Sequence, residues 1–294
     1  MNIMNDYLIR GTAMDGKVRA FAVNTTELVE EIRQRQESWP TATAALGRAA
    51  TVGVIMGAML KNEEKLTIQI KGNGPMGQIV VDANAHGEVR AYADHPQVQM
   101  PSNAQNKLDV AGAVGREGSI FVTKDLGMKE PYRGSIPIIS GELGEDFTYY
   151  FAKSEQTPSA VSVGVLVEKE MSVKVAGGFV IQLLPGLSDD EITEIEQKLG
   201  QIKPMTELLE ENKSLEQILQ EILPSVQILD QMDVKFKCHC SREKVEGTLV
   251  SLGEEELNKI IEEDQQAEVV CHFCNEKYQF NGEELKKLVS KNFS

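Results

Sequence analysis

The sequence predicts an α+β chain in three parts. A sheet-rich N-terminal body packed on a buried helix (residues 1–186) leads through a helical amphipathic linker (187–232) to a small C-terminal zinc-binding domain (233–294). Three observations predict this. Short β-type runs punctuated by Gly, Pro, Asn and Asp recur through the first two thirds of the chain. One stretch, 42–60, is almost wholly small or apolar and interrupts them. All four cysteines fall near the C-terminus, as Cys238-x-Cys240 and Cys271-x-x-Cys274.

Residues 7–13 and 17–23 are predicted to pair as a hairpin around Met14-Asp15-Gly16, because Asp-Gly tolerates the positive φ of a tight turn. Thr25 or Thr26 is expected to cap a helix with Leu28, Val29 and Ile32 on one face. Residues 42–60 carry Gly47, Gly53 and Gly57 at close-packing positions and approach the length of a membrane span. Arg48 inside the stretch, and the lack of a comparable second one, favour a buried central helix.

Residues 66–71 and 78–83 are predicted strands. Between them Gly72-Asn73-Gly74-Pro75-Met76-Gly77 matches the Gly-x-Gly-x-x-Gly pattern of dinucleotide binding. That fingerprint needs a helix opening on the pyrophosphate, whereas a strand follows here and Pro75 removes a backbone donor. A glycine-rich hairpin turn is the expectation. Neither His86 nor His95 has a carboxylate or cysteine arranged around it in sequence as a catalytic partner, and both are read as surface or loop histidines. Further strands are expected at 119–123, 132–140, 146–153, 160–167 and 173–184, with a solvated acidic turn at 141–146. No nucleophile elbow, Walker loop or suitably spaced carboxylate pair occurs, so no catalytic residue is assigned and no enzyme is expected.

Ser188-Asp189-Asp190-Glu191 is a capping box opening a helix with Ile192, Ile195 and Leu199 on one face, closed by Gly200. Pro204 opens a second helix carrying Leu208 and Leu209. Ser214-x-x-Gln217 opens a third, with Leu215, Ile218, Leu219, Ile222 and Leu223 facing one way until Pro224. Between residues 187 and 223 acidic residues outnumber lysines ten to three. Like charges at neighbouring helical positions cost about 0.2–0.5 kcal/mol each, so these short helices need a surface on which to dock.

Residues 234–240 read as a strand entering the first cysteine pair. Residues 257–261 belong to a helix, 268–270 lead into the second pair, 277–280 form a strand, and a last helix starts at Glu283. Two close cysteine pairs separated by a folded segment supply the four thiolates of a tetrahedral zinc site. His239 and His272 neighbour the cysteines but are left out, since four sulfurs complete the tetrahedron. The one-residue spacer of Cys238-x-Cys240 crowds two thiolates unless a metal holds them. Spacing alone does not choose between a structural staple and a zinc-stored redox sensor.

A formal net charge of −15 argues against binding nucleic acid or anionic membranes, which call for a basic face. Residues 1–6 show no basic-then-apolar signal pattern, and metal-type cysteines suit a reducing cytoplasm. A domain of about sixty residues is marginal without a staple. Structural zinc binding is worth on the order of 10–16 kcal/mol, so losing the metal is expected to unfold the domain and then the weak linker.

The chain resembles the redox-regulated heat-shock chaperones of the 33 kDa class, the 33 kDa chaperonin family, over essentially its whole length. The resemblance rests on the four cysteines and on Asp6-Tyr7-Leu8-Ile9-Arg10-Gly11, Lys71-Gly72-Asn73-Gly74-Pro75, Val81-Asp82-Ala83 and Tyr132-Arg133-Gly134. It implies a cytoplasmic, ATP-independent holdase. Reduced and inactive, such a protein holds one zinc ion per chain, here through Cys238, Cys240, Cys271 and Cys274. The resemblance further implies that oxidants, usually with heat, pair Cys238 with Cys240 and Cys271 with Cys274. Zinc is then lost, the C-terminal domain and linker unfold, and a homodimer binds unfolding client proteins. Two other readings stay open: a protein whose zinc site is purely structural, and a thiol-disulfide oxidoreductase built on Cys271-x-x-Cys274. The latter requires the first cysteine at a helix N-terminus in a βαβ setting.

Overall fold

Two sheets enclose one helix in the first unit of the chain, Met1–Lys237. The computed structural model describes residues 5–293. The first four residues of the stretch read for a signal, and Ser294, lie outside the described residues. Strands β1 (Tyr7–Ala13) and β2 (Val18–Asn24) pair antiparallel around the expected turn, where Met14, Asp15 and Gly16 all have positive φ. Helix α1 (Thr26–Gln36) follows, then α2 (Pro40–Gly57), which Pro40 opens at the position where a missing N–H costs nothing.

Helix α2 is buried on nearly all sides. A Cβ on Gly47 would come within 2.6 Å of Val29, and one on Gly57 within 2.6 Å of the Asn84 carbonyl, so the small residues admit neighbours to the helix backbone. No helix among the described residues is long and apolar enough to cross a membrane.

One sheet lies on each side of α2. On one side are β3 (Lys65–Gly72), β4 (Gln78–Asn84), β5 (Glu88–Ala93), β6 (Gly118–Asp125) and β7 (Tyr132–Pro137). The β3–β4 turn is the Gly72–Gly77 segment. A strand follows it, as expected, and it docks on the short helix α3 (Val110–Val114). A Cβ on Gly72 would lie 1.9 Å from the Val114 carbonyl oxygen. On the other side of α2, β8 (Ser159–Val167) and β9 (Val173–Leu183) extend the β1–β2 pair.

The segment 146–153, expected as a strand, is helical: it belongs to α4 (Gly144–Lys153). Phe147, Tyr150 and Phe151 are all buried at three- and four-residue spacing, a helical period that outweighs their β propensity. The acidic turn before it is not solvated at its end. Asp146 is 0% exposed, and its carboxylate accepts from the N–H of Ile139 (2.6 Å), Ser140 (2.9 Å) and Leu143 (2.8 Å).

The cap of α1 also differs from expectation. Thr25 precedes the helix, but its hydroxyl pairs with Thr51 at 2.8 Å and makes no cap bond. Asp6 accepts instead from the N–H of Glu27 (3.1 Å) and Leu28 (2.7 Å). Asp6 is 2% exposed, and burial pushes its carboxyl up to about 7 against the pull of those N–H groups. Asp6→Ala is expected to destabilise this unit by about 1–3 kcal/mol in thermal melts, because two helix-terminal donors lose their acceptor. The unfolded carboxyl releases its proton near pH 4 and the folded one only at about 7. Stability from this group therefore falls as pH rises across that window, and Asp6→Asn abolishes the fall. Melts of both variants at pH 5 and 8 check it.

The linker segment packs on the outer face of the β1–β2–β9 sheet. Helices α5 (Asp189–Gln201), α6 (Met205–Glu210) and α7 (Leu215–Ile222) carry capping boxes at Ser188/Glu191 and Ser214/Gln217, as predicted. Gly200 does not close α5; it keeps a negative φ inside the helix. Ile195, Met205, Leu208, Leu215, Ile218, Leu219 and Ile222 bury themselves against Ile9, Ala20, Ala22, Phe179 and Ile181.

The chain then adds a strand that sequence reading does not anticipate. Strand β10 (Gln227–Asp233) pairs with β1 as the sheet edge, and Gly11 admits it: a Cβ there would lie 2.8 Å from the Gln227 carbonyl oxygen. Of the strand expected at 234–240, only β11 (Lys235–Phe236) forms, parallel to β5.

The second unit, Cys238–Ser294, contains α8 (Arg242–Val250), α9 (Glu254–Glu263), the hairpin β12 (Gln266–Val270) and β13 (Lys277–Asn281), and α10 (Gly282–Asn292). Among the described residues its core consists of Val245, Leu249, Leu257, Ile261, Phe280, Leu285 and Leu288.

Candidate metal centre

Residues 271–276 form the tip of the β12–β13 hairpin and carry one cysteine pair. The Cys271 N–H donates to the Glu276 carbonyl (2.9 Å), the Asn275 N–H donates to the Cys271 carbonyl (2.8 Å), and Asn275 takes a positive φ. This tight turn sets Cys271 and Cys274 on one side. The other pair lies just before α8, whose cap Ser241 accepts from the Lys244 N–H. Arg242 ties this segment to the hairpin and α10. Its guanidinium stacks 4.3 Å over the Phe280 ring and donates to the Gln279 carbonyl (3.1 Å) and the Glu284 carboxylate (2.7 Å). The Lys244 ammonium donates to the His239 carbonyl at 2.6 Å, closing the Cys-x-Cys turn from behind.

The four sulfurs converge within 4.8 Å of one another. The nearest approaches run between the pairs: Cys238 Sγ to Cys271 Sγ is 3.7 Å, and Cys240 Sγ to Cys274 Sγ is 3.4 Å. Sulfurs bonded at about 2.3 Å to one tetrahedral metal stand about 3.8 Å apart, so the group has the size of a metal shell. Four sulfur donors with no open position suit a structural tetrahedral ion. The group as placed could hold a metal ion. His239 and His272 are exposed and do not belong to it.

Burial raises the thiols of Cys271 and Cys274 above the usual range. Backbone N–H groups of Cys274 and Phe273 on Cys271, and of Glu276 on Cys274, pull the other way. Protonated thiols are poor nucleophiles and poor ligands, so a cation held here would be what turns these sulfurs into thiolates.

The Tyr278 hydroxyl, on β13, donates to Cys240 Sγ at 3.2 Å. Tyr278 and Arg242 escape sequence reading. The alternation of β13 marks Tyr278 as inward-facing, but its reach to a sulfur thirty-eight positions earlier exists only in the folded unit. Cys271-x-x-Cys274 follows a strand and precedes a strand, unlike an oxidoreductase motif at a helix N-terminus.

The sequence model of the Hsp33 protein family matches residues 6–281. The 33 kDa chaperonin of Bacillus cytotoxicus is 53% identical over 288 residues, covering 97% of this chain and 99% of that protein. The 33 kDa chaperonin of Bacillus subtilis strain 168 is 53% identical over 284 residues, covering 96% and 98%. The crystal structure of the 33 kDa chaperonin of Thermotoga maritima, a heat shock protein 33 homologue, superposes with a TM-score of 0.92 at 38% identity and covers 98% of each chain.

Proposed function

The chain belongs to the Hsp33 family, and from that membership we propose that it is a redox-regulated, ATP-independent holdase chaperone. In the reduced, inactive state Cys238, Cys240, Cys271 and Cys274 hold one zinc ion per chain. When bound, zinc keeps the four sulfurs as thiolates and cross-links the two turns. The observation that carries the reading is the four-sulfur group at tetrahedral spacing in a unit whose apolar core is thin.

Oxidation acts on the sulfurs. Two thiolates lose two electrons to one peroxide, an S–S bond forms, and the peroxide oxygens leave as water once protonated. In this proposal Cys238 pairs with Cys240 and Cys271 with Cys274, within the turns and not across them. A sulfur engaged in a disulfide is no longer an anionic ligand, so the cross-link between the turns is lost. Residues 233–294 then unfold, the linker (187–232) detaches from the body (1–186), and the apolar face beneath α5, α6 and α7 takes up unfolding clients. The active form is a homodimer in the cytoplasm.

The test treats the reduced, zinc-loaded chain with peroxide at elevated temperature. Zinc is followed with a chromogenic chelator, and light scattering reports aggregation of a thermally unfolding client. The expected result is release of about one zinc per chain, with protection that appears only after oxidation and reverses on reduction. Zinc retained under peroxide, or equal protection by the reduced chain, overturns the proposal.

A further inference from the structure

We propose that Tyr278 is a positioning residue of the cysteine site, whose phenol O–H hydrogen-bonds the Cys240 sulfur and sets both how tightly the site holds its metal and how fast Cys240 reacts with an oxidant. This inference rests on the reading of the four cysteines as zinc ligands. The geometry that carries it is local. Tyr278 lies on β13 opposite Val269, with its half-buried ring packed against the core of the unit and its oxygen 3.2 Å from Cys240 Sγ. A thiolate has no proton to give, so the phenol is the donor.

The hydrogen bonds to the second turn are of another kind. Cys271 and Cys274 receive theirs from backbone N–H groups of their own turn, which come with any sequence that forms the turn. The bond on Cys240 comes from a side chain and is replaceable. A hydrogen bond draws electron density off a thiolate sulfur, which steadies it as a ligand and weakens it as a nucleophile. Partners of this kind typically change metal affinity 10–100-fold when removed.

The reacting step is oxidation by hydrogen peroxide. The Cys240 sulfur attacks one peroxide oxygen, the O–O bond breaks, a sulfenic acid forms and hydroxide leaves. A second thiolate, that of Cys238, then displaces hydroxide from that sulfur to form the S–S bond, and both hydroxides are protonated to water. Tyr278 slows the first of these attacks by holding the electron pair of Cys240.

Tyr278→Phe tests this in the full-length chain, because it keeps the packed ring and removes only the donor. Two readouts are needed: zinc affinity by chelator competition in the reduced state, and the rate of modification at each cysteine by mass spectrometry under limiting peroxide. The expected result is 10–100-fold weaker zinc binding, with faster modification of Cys240 in particular. A 3-fluorotyrosine at position 278, a stronger donor of the same shape, is expected to slow Cys240, and it decides the matter where the phenylalanine variant folds poorly. Unchanged affinity and rate overturn the inference, as does equal acceleration at all four cysteines, which marks a packing role alone. A wild-type chain that binds no zinc overturns the zinc reading and this inference together. Zinc bound normally by both wild type and Tyr278→Phe overturns the inference and leaves that reading standing.

Discussion

Chelation of the metal from the reduced chain is expected to unfold residues 238–294 and leave the body (1–186) folded. The expectation follows from the size of the opposing terms. A chain of about sixty residues buries only about 60% of the surface its unfolded form exposes, and so folds with little to spare. Here the described core of the unit holds seven buried apolar side chains, two of them on the last helix. Zinc binding to a four-ligand site contributes on the order of 10–16 kcal/mol, more than such a core supplies. Without it, the Cys238–Ser241 turn still has the contacts of Arg242, Lys244 and Tyr278, but the first two are exposed contacts of small value. Hydrogen exchange checks the outcome residue by residue. Amides of β12, β13 and α8 to α10 should exchange at intrinsic rates after chelation, while those of α2, β3 and β4 keep their protection. Retained protection in the hairpin, with metal loss verified, would show that the apolar core suffices and would sink the switch.

Much of this was legible because it is local. The cysteine spacings, the capping boxes at Ser188 and Ser214, the small-residue helix and most strands are written in patterns shorter than twenty residues. What escaped was set by partners far away in sequence. Thr25 looked like a cap, but Asp6 does the capping from ahead of β1. The α4 segment is rich in aromatics and looked like a strand until its buried positions, Phe147, Tyr150 and Phe151, revealed a helical period. Strand β10 has most of its residues exposed and no clean alternation, and it exists because β1 offers an open edge. At the candidate metal centre the four clustered cysteines were readable from sequence, whereas the contacts of Tyr278 and Arg242 that support the cluster were not.

A carboxylate placed under the linker should activate the chain with its metal still bound. Ile218 lies on α7, is 0% exposed, and belongs to the layer shared by the linker helices and the β1–β2–β9 face. Ile218→Asp removes a large apolar group from that layer and puts a charge where no cation waits, at a cost of about 4 kcal/mol or more. The helices have little to set against it. Helix α6 spans six residues and α7 eight, both too short to persist without docking. The body is insulated from the change, because its own core lies around α2 on the opposite side of the sheet. The variant is therefore expected to lose exchange protection in α5 to α7, to bind an apolar dye through Ile9, Ala20, Ala22, Phe179 and Ile181, and to keep about one zinc per chain. It should also suppress client aggregation without oxidant, at a level near that of the oxidised wild type. Gln220→Asp, on the exposed side of the same helix, should behave as wild type and controls for charge alone. Dye binding without protection of the client would separate the two ideas: the linker would be a detachable cover, but the surface beneath it would not be where clients bind.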